Sequence, residues 1–317
     1  MTKPIVFASQ LDQQQQTLWL THLQRHLPDE KIVLIEQLTD EQVENVDIAI
    51  VANPKATELI RLAQLPNLAW VQSLWAGVEK LATESSLQTI PIVRLVDDTL
   101  AKIMAEAVLA WTLYLHRNMP EYLQQQAKKQ WLQLPYKAPT EQRITVLGTG
   151  ELGMAAINSL VRANFTVSAW SRKPKSIANI KHFTDQEGLQ AVLPQTDILI
   201  SLLPLTSQTA NLLSNNTLSL LPQGAKLINF SRGGIVNSDD LLALLNNGHL
   251  THAVLDVFAV EPLPANSLLW SHEKITILPH ISAPTQMASA ALVVANNIKQ
   301  YRLEGIIPTA VDKTCGY

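Results

Sequence analysis

The sequence predicts an α/β chain made of two doubly wound, parallel-sheet domains, and three observations carry that prediction. Short β-branched or apolar runs alternate with longer stretches of helical spacing along the whole chain, the pattern of βαβ units and of a parallel sheet. At 317 residues the chain is too long for one comfortable core and suits two, at roughly 100 to 200 residues per domain. Hydrophobic residues make up 47% and charged residues only 16%, so there is enough apolar side chain to fill two cores, and an intrinsically disordered chain is excluded.

In the first half, Ile5 to Ala8, Ile32 to Ile35, Ile48 to Val51, Ala69 to Leu74 and Ile92 to Val96 read as strands. A long helix follows from about Thr99 through Arg117, with Ile103, Met104, Ala107, Val108, Trp111 and Leu115 at three- and four-residue spacing along one broad face. Gln-rich, wetter sequence runs from Glu121 to Gln133, and Leu134 to Thr140 breaks periodicity, as an arm or a linker would. At Arg143 a second series of strands begins: Ile144 to Leu147, Thr166 to Trp170, Asp197 to Leu203, Ala225 to Phe230, His252 to Phe258 and Ile275 to Leu278. Leu152 to Ala163 and Asp239 to Leu245 between them have helical spacing, and one more amphipathic helix runs from about Thr285 to Leu303. Periodicity alone leaves open whether this last helix returns to the first domain.

A net charge of -3 offers no general basic footprint for nucleic acid or an anionic membrane surface, so any anion must be bound locally. No apolar run approaches the roughly 18 residues needed to cross a bilayer. The N-terminal run Ile5-Val6-Phe7-Ala8 is too short for a signal-peptide core. Cys315 is the single cysteine, which excludes an internal disulfide and a cysteine-built zinc site and fits a reducing compartment. The expectation is a cytoplasmic protein.

The strand Ile144 to Leu147 runs directly into Gly148-Thr149-Gly150-Glu151-Leu152-Gly153 and then a helix. This is GxGxxG in its strand-turn-helix setting, the dinucleotide-binding turn of Rossmann-like domains. Gly148 allows the tight turn, Gly150 lets backbone approach a pyrophosphate, Gly153 lets helix and strand pack closely, and the helix N-terminus faces the anion. Glu151, an acid beside a phosphate loop, is expected to turn its side chain to solvent. About 20 residues on, where NAD-binding chains carry a ribose-binding acid, Trp170 is followed by Ser171-Arg172-Lys173 with no carboxylate. A hydroxyl donor and two cations there suit a 2′-phosphate, so the expected cofactor is NADP(H) over NAD(H). Lys175 is close enough to add to the patch; a solvated basic loop is the plain alternative.

Ligands of open α/β sheets bind at the carboxyl ends of strands, which directs attention to three strand ends. One leads into Ser231-Arg232-Gly233-Gly234, one into the region of Glu261, and one into Pro279-His280. Reduction of a 2-oxo acid needs an anchor for the substrate carboxylate, an acid that protonates the carbonyl oxygen, and a group that favours the charged form of that acid. Arg232 suits the first role, His280 the second and Glu261 the third. The other histidines, His22, His26, His116, His182, His249, His252 and His272, read as surface or structural residues. No metal-ligand spacing is present, and no metal is expected.

The loop GTGELG, the run NFSRGGIV at Asn229 to Val236, LDVFAVEPLP at Leu255 to Pro264 and ILPHISAPT at Ile277 to Thr285 together resemble the D-2-hydroxyacid dehydrogenases, in order and spacing over essentially the whole chain. The basic WSRK at Trp170, LVDDTLAKIMAEAVL at Leu95 to Leu109, LLW at Leu268 to Trp270 and the closing VDKTCGY are most similar to their glyoxylate/hydroxypyruvate reductase branch. The resemblance implies a discontinuous substrate domain of residues 1–98 plus 284–317 around an NADP-binding domain of residues 99–283. It implies a catalytic trio of Arg232, Glu261 and His280, and substrate contacts from Trp75, Ala76 and Gly77 in the loop Leu74 to Val78. Cofactor contacts are implied for the glycine turn, for Ser171, Arg172 and Lys173, and for Leu203, Pro204, Phe230, Ser231, Arg232, Asp256 and His280. A homodimer built through the long helix and arm after Thr99 is implied as well.

Two departures from the family pattern stand out. Trp75 replaces a glycine, and its ring either narrows the pocket toward two- or three-carbon substrates or folds away as core. Asn164 replaces a glycine between the cofactor helix and its second strand, where Asn tolerates the left-handed conformation. The expected activity is NADPH-dependent reduction of glyoxylate to glycolate and of hydroxypyruvate to D-glycerate. Competing readings are a D-2-hydroxyacid dehydrogenase of other substrate and a non-catalytic, dinucleotide-sensing protein similar to the corepressors of this fold. A phosphorylated substrate would want basic residues near Trp75, where only Lys80 stands, and an intact Arg-Glu-His set argues against a mere sensor.

Overall fold

The computed structural model describes residues 3–178 and 180–313; Cys315, on which the expectation of a reducing compartment rests, lies outside them. The chain divides into two compact units, residues 1–99 with 285–317, and residues 100–284. In chain order the first unit carries β1 (Ile5–Ser9), α1 (Gln13–His26), β2 (Ile32–Leu34), α2 (Asp40–Val43), β3 (Ile48–Ala52), α3 (Ala56–Ala63), β4 (Trp70–Ser73), α4 (Glu79–Ala82) and β5 (Ile92–Val93). Then come α5 (Asp98–His116), α6 (Met119–Ala127), β6 (Arg143–Leu147), α7 (Glu151–Arg162), β7 (Thr166–Trp170), β8 (Lys181–Phe183) and α8 (Asp185–Val192). The rest is β9 (Ile198–Ser201), α9 (Asn215–Leu218), β10 (Ala225–Asn229), α10 (Ser238–Asn246), β11 (Leu250–Leu255), β12 (Ile275–Ile277) and α11 (Met287–Glu304).

In the first unit the sheet order is β2-β1-β3-β4-β5, with every pairing parallel. All of β1 and β3 is buried, because a parallel sheet is covered on both faces and its inner strands are apolar throughout. Successive side chains then serve opposite layers. Ile5, Phe7, Ile48 and Ile50 meet Trp19 and Leu23 of α1 and Ala290, Val294 and Ile298 of α11, while Val6, Ala8, Ala49 and Val51 pack with Leu59 and Leu62 of α3. Asp97 joins this unit's ends: its carboxylate accepts from the Thr99 amide at 2.8 Å, at the start of α5, and from the Ser289 hydroxyl of α11 at 2.7 Å.

The second unit's sheet runs β12-β11-β10-β9-β6-β7-β8, again wholly parallel. The chain winds outward from β6 through β7 to β8 and crosses back to β9 on the other side of β6. Strand order thus reverses between β6 and β9, and the crevice at their carboxyl ends is the topological switch point of a doubly wound sheet. One face packs against Met104, Val108 and Leu115 of α5 and Ile157 and Leu160 of α7; the other packs against Leu189 of α8 and Leu241 and Leu245 of α10.

Several elements differ from expectation. The strand expected at Ile92 to Val96 is only two residues long, because β5 pairs at Ile92 and Val93 alone. The helix α6 forms within the Gln-rich segment, started by Pro120 in its first turn after Asn118 in a left-handed conformation (φ 54°). The edge strand β8 and the helix α8 fall where neither was anticipated. Between α6 and Pro139 the chain carries no helix or strand, and Trp131 there is 99% exposed. Among the described residues no helix is long and apolar enough to cross a membrane.

Candidate active site

The glycine turn sits at the switch point, and each of its glycines answers a separate steric demand. Gly148 has φ 103°, and a Cβ there would lie 2.8 Å from the Leu202 carbonyl oxygen at the end of β9. A Cβ on Gly153 would come 2.0 Å from the Gly148 carbonyl oxygen, so α7 packs on the turn only without a side chain. Gly150 differs: a Cβ would meet nothing within 4 Å, and the residue N-caps α7 with no side-chain cap. That combination, open space before helix N–H groups that no side chain caps, fits a pyrophosphate. Glu151 is exposed, as expected of an acid beside that site, and Leu152 packs partly into the core. Leu203 is buried and Pro204 half-buried just past β9, across the crevice. Asn164 takes the left-handed conformation at φ 64°.

After β7 the basic loop closes back on this turn. The Thr149 hydroxyl donates to Ser171 Oγ at 2.9 Å, Ser171 Oγ donates to the Lys173 carbonyl at 3.0 Å, and Lys175 Nζ donates to the Thr149 carbonyl at 2.8 Å. Arg172 and Lys173 are exposed. His182 of β8 adds two links: its Nε2 lies 2.8 Å from Ser171 Oγ, and its Nδ1 accepts from the Lys175 amide at 3.2 Å. Burial, and secondly the charge of Lys175, push the His182 imidazole below its ordinary range. Nothing in the sequence singled out Thr149 or His182. The signal was the three-residue strand that carries His182 beside β7, too short and polar to read.

Arg232, Glu261 and His280 follow β10, β11 and β12, three adjacent strands, along one edge of the sheet. Asn229 shapes the first turn: its Nδ2 donates to the Arg232 carbonyl at 3.2 Å while its Oδ1 accepts from the Ser231 hydroxyl at 2.6 Å. Phe230 and Ser231 are thereby buried, and half-buried Arg232 donates from Nη1 to the Ser231 carbonyl at 2.7 Å. A Cβ on Gly233 would stand 1.9 Å from the Phe258 carbonyl carbon, so the glycine lets the Arg232 turn abut the loop that leads to Glu261. In that loop Glu261 Oε1 accepts from the Phe258 amide at 2.9 Å, and its Oε2 lies 2.8 Å from His280 Nδ1. Both side chains remain partly open to solvent, 36% for Glu261 and 52% for His280. The carboxylate thus fixes the ring by one nitrogen and leaves the bond of Nε2 to another partner.

His280 has φ 56°, a conformation that ordinary side chains adopt at a cost of roughly 1 kcal/mol or more. Asp256, 2% exposed at the end of β11, accounts for how it is held. Its two oxygens accept from the amides of Ile281 at 2.7 Å and Ser282 at 2.9 Å, the residues immediately after His280. Asp256, expected among the cofactor contacts, thus bonds the turn that carries His280.

In the first unit, the loop Leu74 to Val78 leaves the carboxyl end of β4. The Trp75 amide donates to Ser73 Oγ at 3.0 Å, and its carbonyl accepts from the Leu95 amide at 3.0 Å. Its ring stands edge-on to Trp19, with centroids 5.9 Å apart and planes at 82°, against the core under α1 and α11. Trp75 is half-buried, so part of its ring packs on this core and part stays open. Ala76 and Gly77 are half-buried. Among the remaining histidines, His252 is buried and bonded to Thr276 Oγ1 at 2.9 Å. Among the described residues no group of three or more His, Cys, Asp or Glu side chains is placed to hold a metal ion.

A switch-point dinucleotide turn with an Arg, a Glu and a His on neighbouring strand ends defines the class of nicotinamide-dependent oxidoreductases acting on hydroxy acids. Comparison with known proteins makes this specific. Residues 109–282 match the model of the D-isomer specific 2-hydroxyacid dehydrogenase NAD-binding domain. The chain is 38% identical over 287 residues to glyoxylate/hydroxypyruvate reductase A of Yersinia enterocolitica, covering 89% of this chain and 90% of that protein. Among solved structures, a D-isomer specific 2-hydroxyacid dehydrogenase of Xanthobacter autotrophicus Py2 in complex with NADPH and MES matches with TM-score 0.92 and 33% identity over all of both chains. An NADPH-dependent glyoxylate/hydroxypyruvate reductase of Sinorhizobium meliloti in complex with NADP and sulfate matches with TM-score 0.90 and 28% identity, also over all of both chains. This chain belongs to the D-isomer specific 2-hydroxyacid dehydrogenase family, and its cofactor is a nicotinamide dinucleotide.

Proposed function

We propose that the protein is an NADPH-dependent reductase of small 2-oxo acids, taking glyoxylate to glycolate and hydroxypyruvate to D-glycerate. The observation that carries the reading is the 2.8 Å pair of Glu261 and His280 at the sheet edge that bears the cofactor turn and Arg232. It is supported by the activity named for the Yersinia and Sinorhizobium relatives. The basic loop of Ser171, Arg172 and Lys173 favours NADPH over NADH, since it presents a donor and two cations, and no acid, to a 2′-phosphate.

When bound, the reduced nicotinamide supplies the hydride that reaches the carbonyl carbon. Arg232 grips the substrate carboxylate in a fork and draws charge from the carbonyl. In the first unit the backbone N–H groups of Ala76 and Gly77 are offered to a substrate carboxylate, that of Trp75 being bonded to Ser73 Oγ at 3.0 Å. His280 gives its Nε2 proton to the carbonyl oxygen, and Glu261, 2.8 Å from Nδ1, orients the ring. Residues 1–98 with 284–317 act as the substrate domain and 99–283 as the NADP-binding domain.

The decisive test is the initial rate of absorbance loss at the reduced-nicotinamide band, with NADPH and NADH each offered glyoxylate, hydroxypyruvate, pyruvate and phenylpyruvate. Fast oxidation of NADPH with glyoxylate and hydroxypyruvate supports cofactor and substrate together. Faster turnover of phenylpyruvate, or equal use of NADH, overturns the corresponding half.

The assembly belongs to the same proposal. Leu113, Leu123, Trp131, Leu132 and Tyr136, on α5, on α6 and in the arm after it, are all at least 40% exposed, an apolar surface suited to a second copy of the chain.

A further inference from the structure

We propose that His182 is a positioning residue for cofactor choice, holding Ser171 and Lys175 against the glycine turn so that the basic loop stands preformed around the adenosine 2′-substituent. The inference rests on the NADPH reading and assigns a part of that preference to a residue outside the basic run.

The proton inventory of the ring follows from its neighbours. The Lys175 amide can only donate, so His182 Nδ1 accepts, at 3.2 Å, and the neutral ring carries its hydrogen on Nε2. Nε2–H then donates to Ser171 Oγ at 2.8 Å. That oxygen also accepts from Thr149 Oγ1 at 2.9 Å and gives its own hydrogen to the Lys173 carbonyl at 3.0 Å. Both lone pairs and the one hydrogen of the hydroxyl are therefore engaged. Lys175 Nζ, bonded to the Thr149 carbonyl at 2.8 Å, closes a ring of four residues: Thr149, Ser171, His182 and Lys175.

Two consequences bear on the cofactor. With two donors pinning Ser171 Oγ, its hydrogen can swing from the Lys173 carbonyl to a phosphate oxygen while the oxygen itself stays put. A phosphate oxygen is the stronger acceptor by its charge, so the gain falls on a 2′-phosphate and far less on a 2′-hydroxyl. The lysine, in turn, is tied by main chain to the histidine and by side chain to the turn, which keeps its charge beside the site without a conformational search. The register that pairs Ala169 of β7 with His182 of β8 puts the imidazole at this loop.

Dissociation constants for NADPH and NADH, read by nicotinamide fluorescence, test this in the parent, in His182→Phe and in His182→Gln. His182→Phe keeps a ring but neither bond and is expected to lower the NADPH-to-NADH affinity ratio about tenfold. His182→Gln, whose amide N–H stands near the place of Nε2, should recover most of it. An unchanged ratio in His182→Phe, or an equal loss for both cofactors, overturns the inference while leaving the NADPH preference of the parent intact. Equal affinities in the parent overturn the cofactor reading, and the inference with it. Should His182→Phe not fold, His182→Asn, whose shorter amide cannot span both bonds, must lower the same ratio, or the inference fails.

Discussion

At the scale of single residues the proposed chemistry rests on one imidazole held by two carboxylates acting at different points. Glu261 bonds the ring, and Asp256 bonds the backbone that follows it, keeping His280 in a left-handed conformation. His280→Gln is therefore expected to lower kcat by roughly two to four orders of magnitude, with the NADPH dissociation constant little changed. Stopped-flow turnover set beside fluorescence titration checks both, and retained turnover would remove the histidine from its role. The positions of Arg232, Glu261 and His280 are legible in the sequence because strand ends are few and each of these residues follows one. The Asp256 contact is not, since its partners are amides 25 and 26 residues away and an amide has no signature in sequence.

Among the elements, the strands are the most legible part because an apolar run between turn residues has few other uses in a covered parallel sheet. Elements held by context are illegible. Two examples are β8, whose Lys-His-Phe resembles a loop until it lies beside β7, and α6, whose Gln-rich face has no apolar periodicity. The glycine turn allows a sharper test, because its members do different things. Gly153→Ala drives a Cβ to 2.0 Å from a backbone oxygen and is expected to destabilise the second unit by about 1–3 kcal/mol or more. Gly150→Ala meets open space at φ -71° and should leave the melting temperature close to that of the parent while weakening dinucleotide binding. Calorimetry with cofactor titration separates the two; a stable Gly153→Ala protein would mean that α7 can withdraw from β6 at small cost.

For the whole molecule, acid is the expected weakness. Burial first, then the charges of Lys226 and His272, lower the His252 imidazole from 6.5 to about 4. Between those values the unfolded chain takes up a proton that the folded chain refuses, so stability falls as pH falls across the window, by up to about 3 kcal/mol at its lower end. Urea unfolding at stepped pH should show this slope, and His252→Asn should flatten it; an equal slope in the variant would place the acid sensitivity elsewhere. Association is open to a parallel test: light scattering on Trp131→Ser should show monomer where the parent is a dimer, and a monomeric parent would end the dimer proposal.

The placement of α11 has a consequence for the order of events at the ribosome. Its residues Ala290, Val294 and Ile298 complete the layer over Phe7, Trp19 and Leu23, yet they are made after the whole of the second unit. Nascent β1 to β5 must therefore wait, one apolar face uncovered, while some 185 intervening residues emerge (100 to 284), and those residues have all they need to fold first. Synthesis from the N-terminus thus completes the second unit before the first, whose sheet has one apolar face uncovered in the interval.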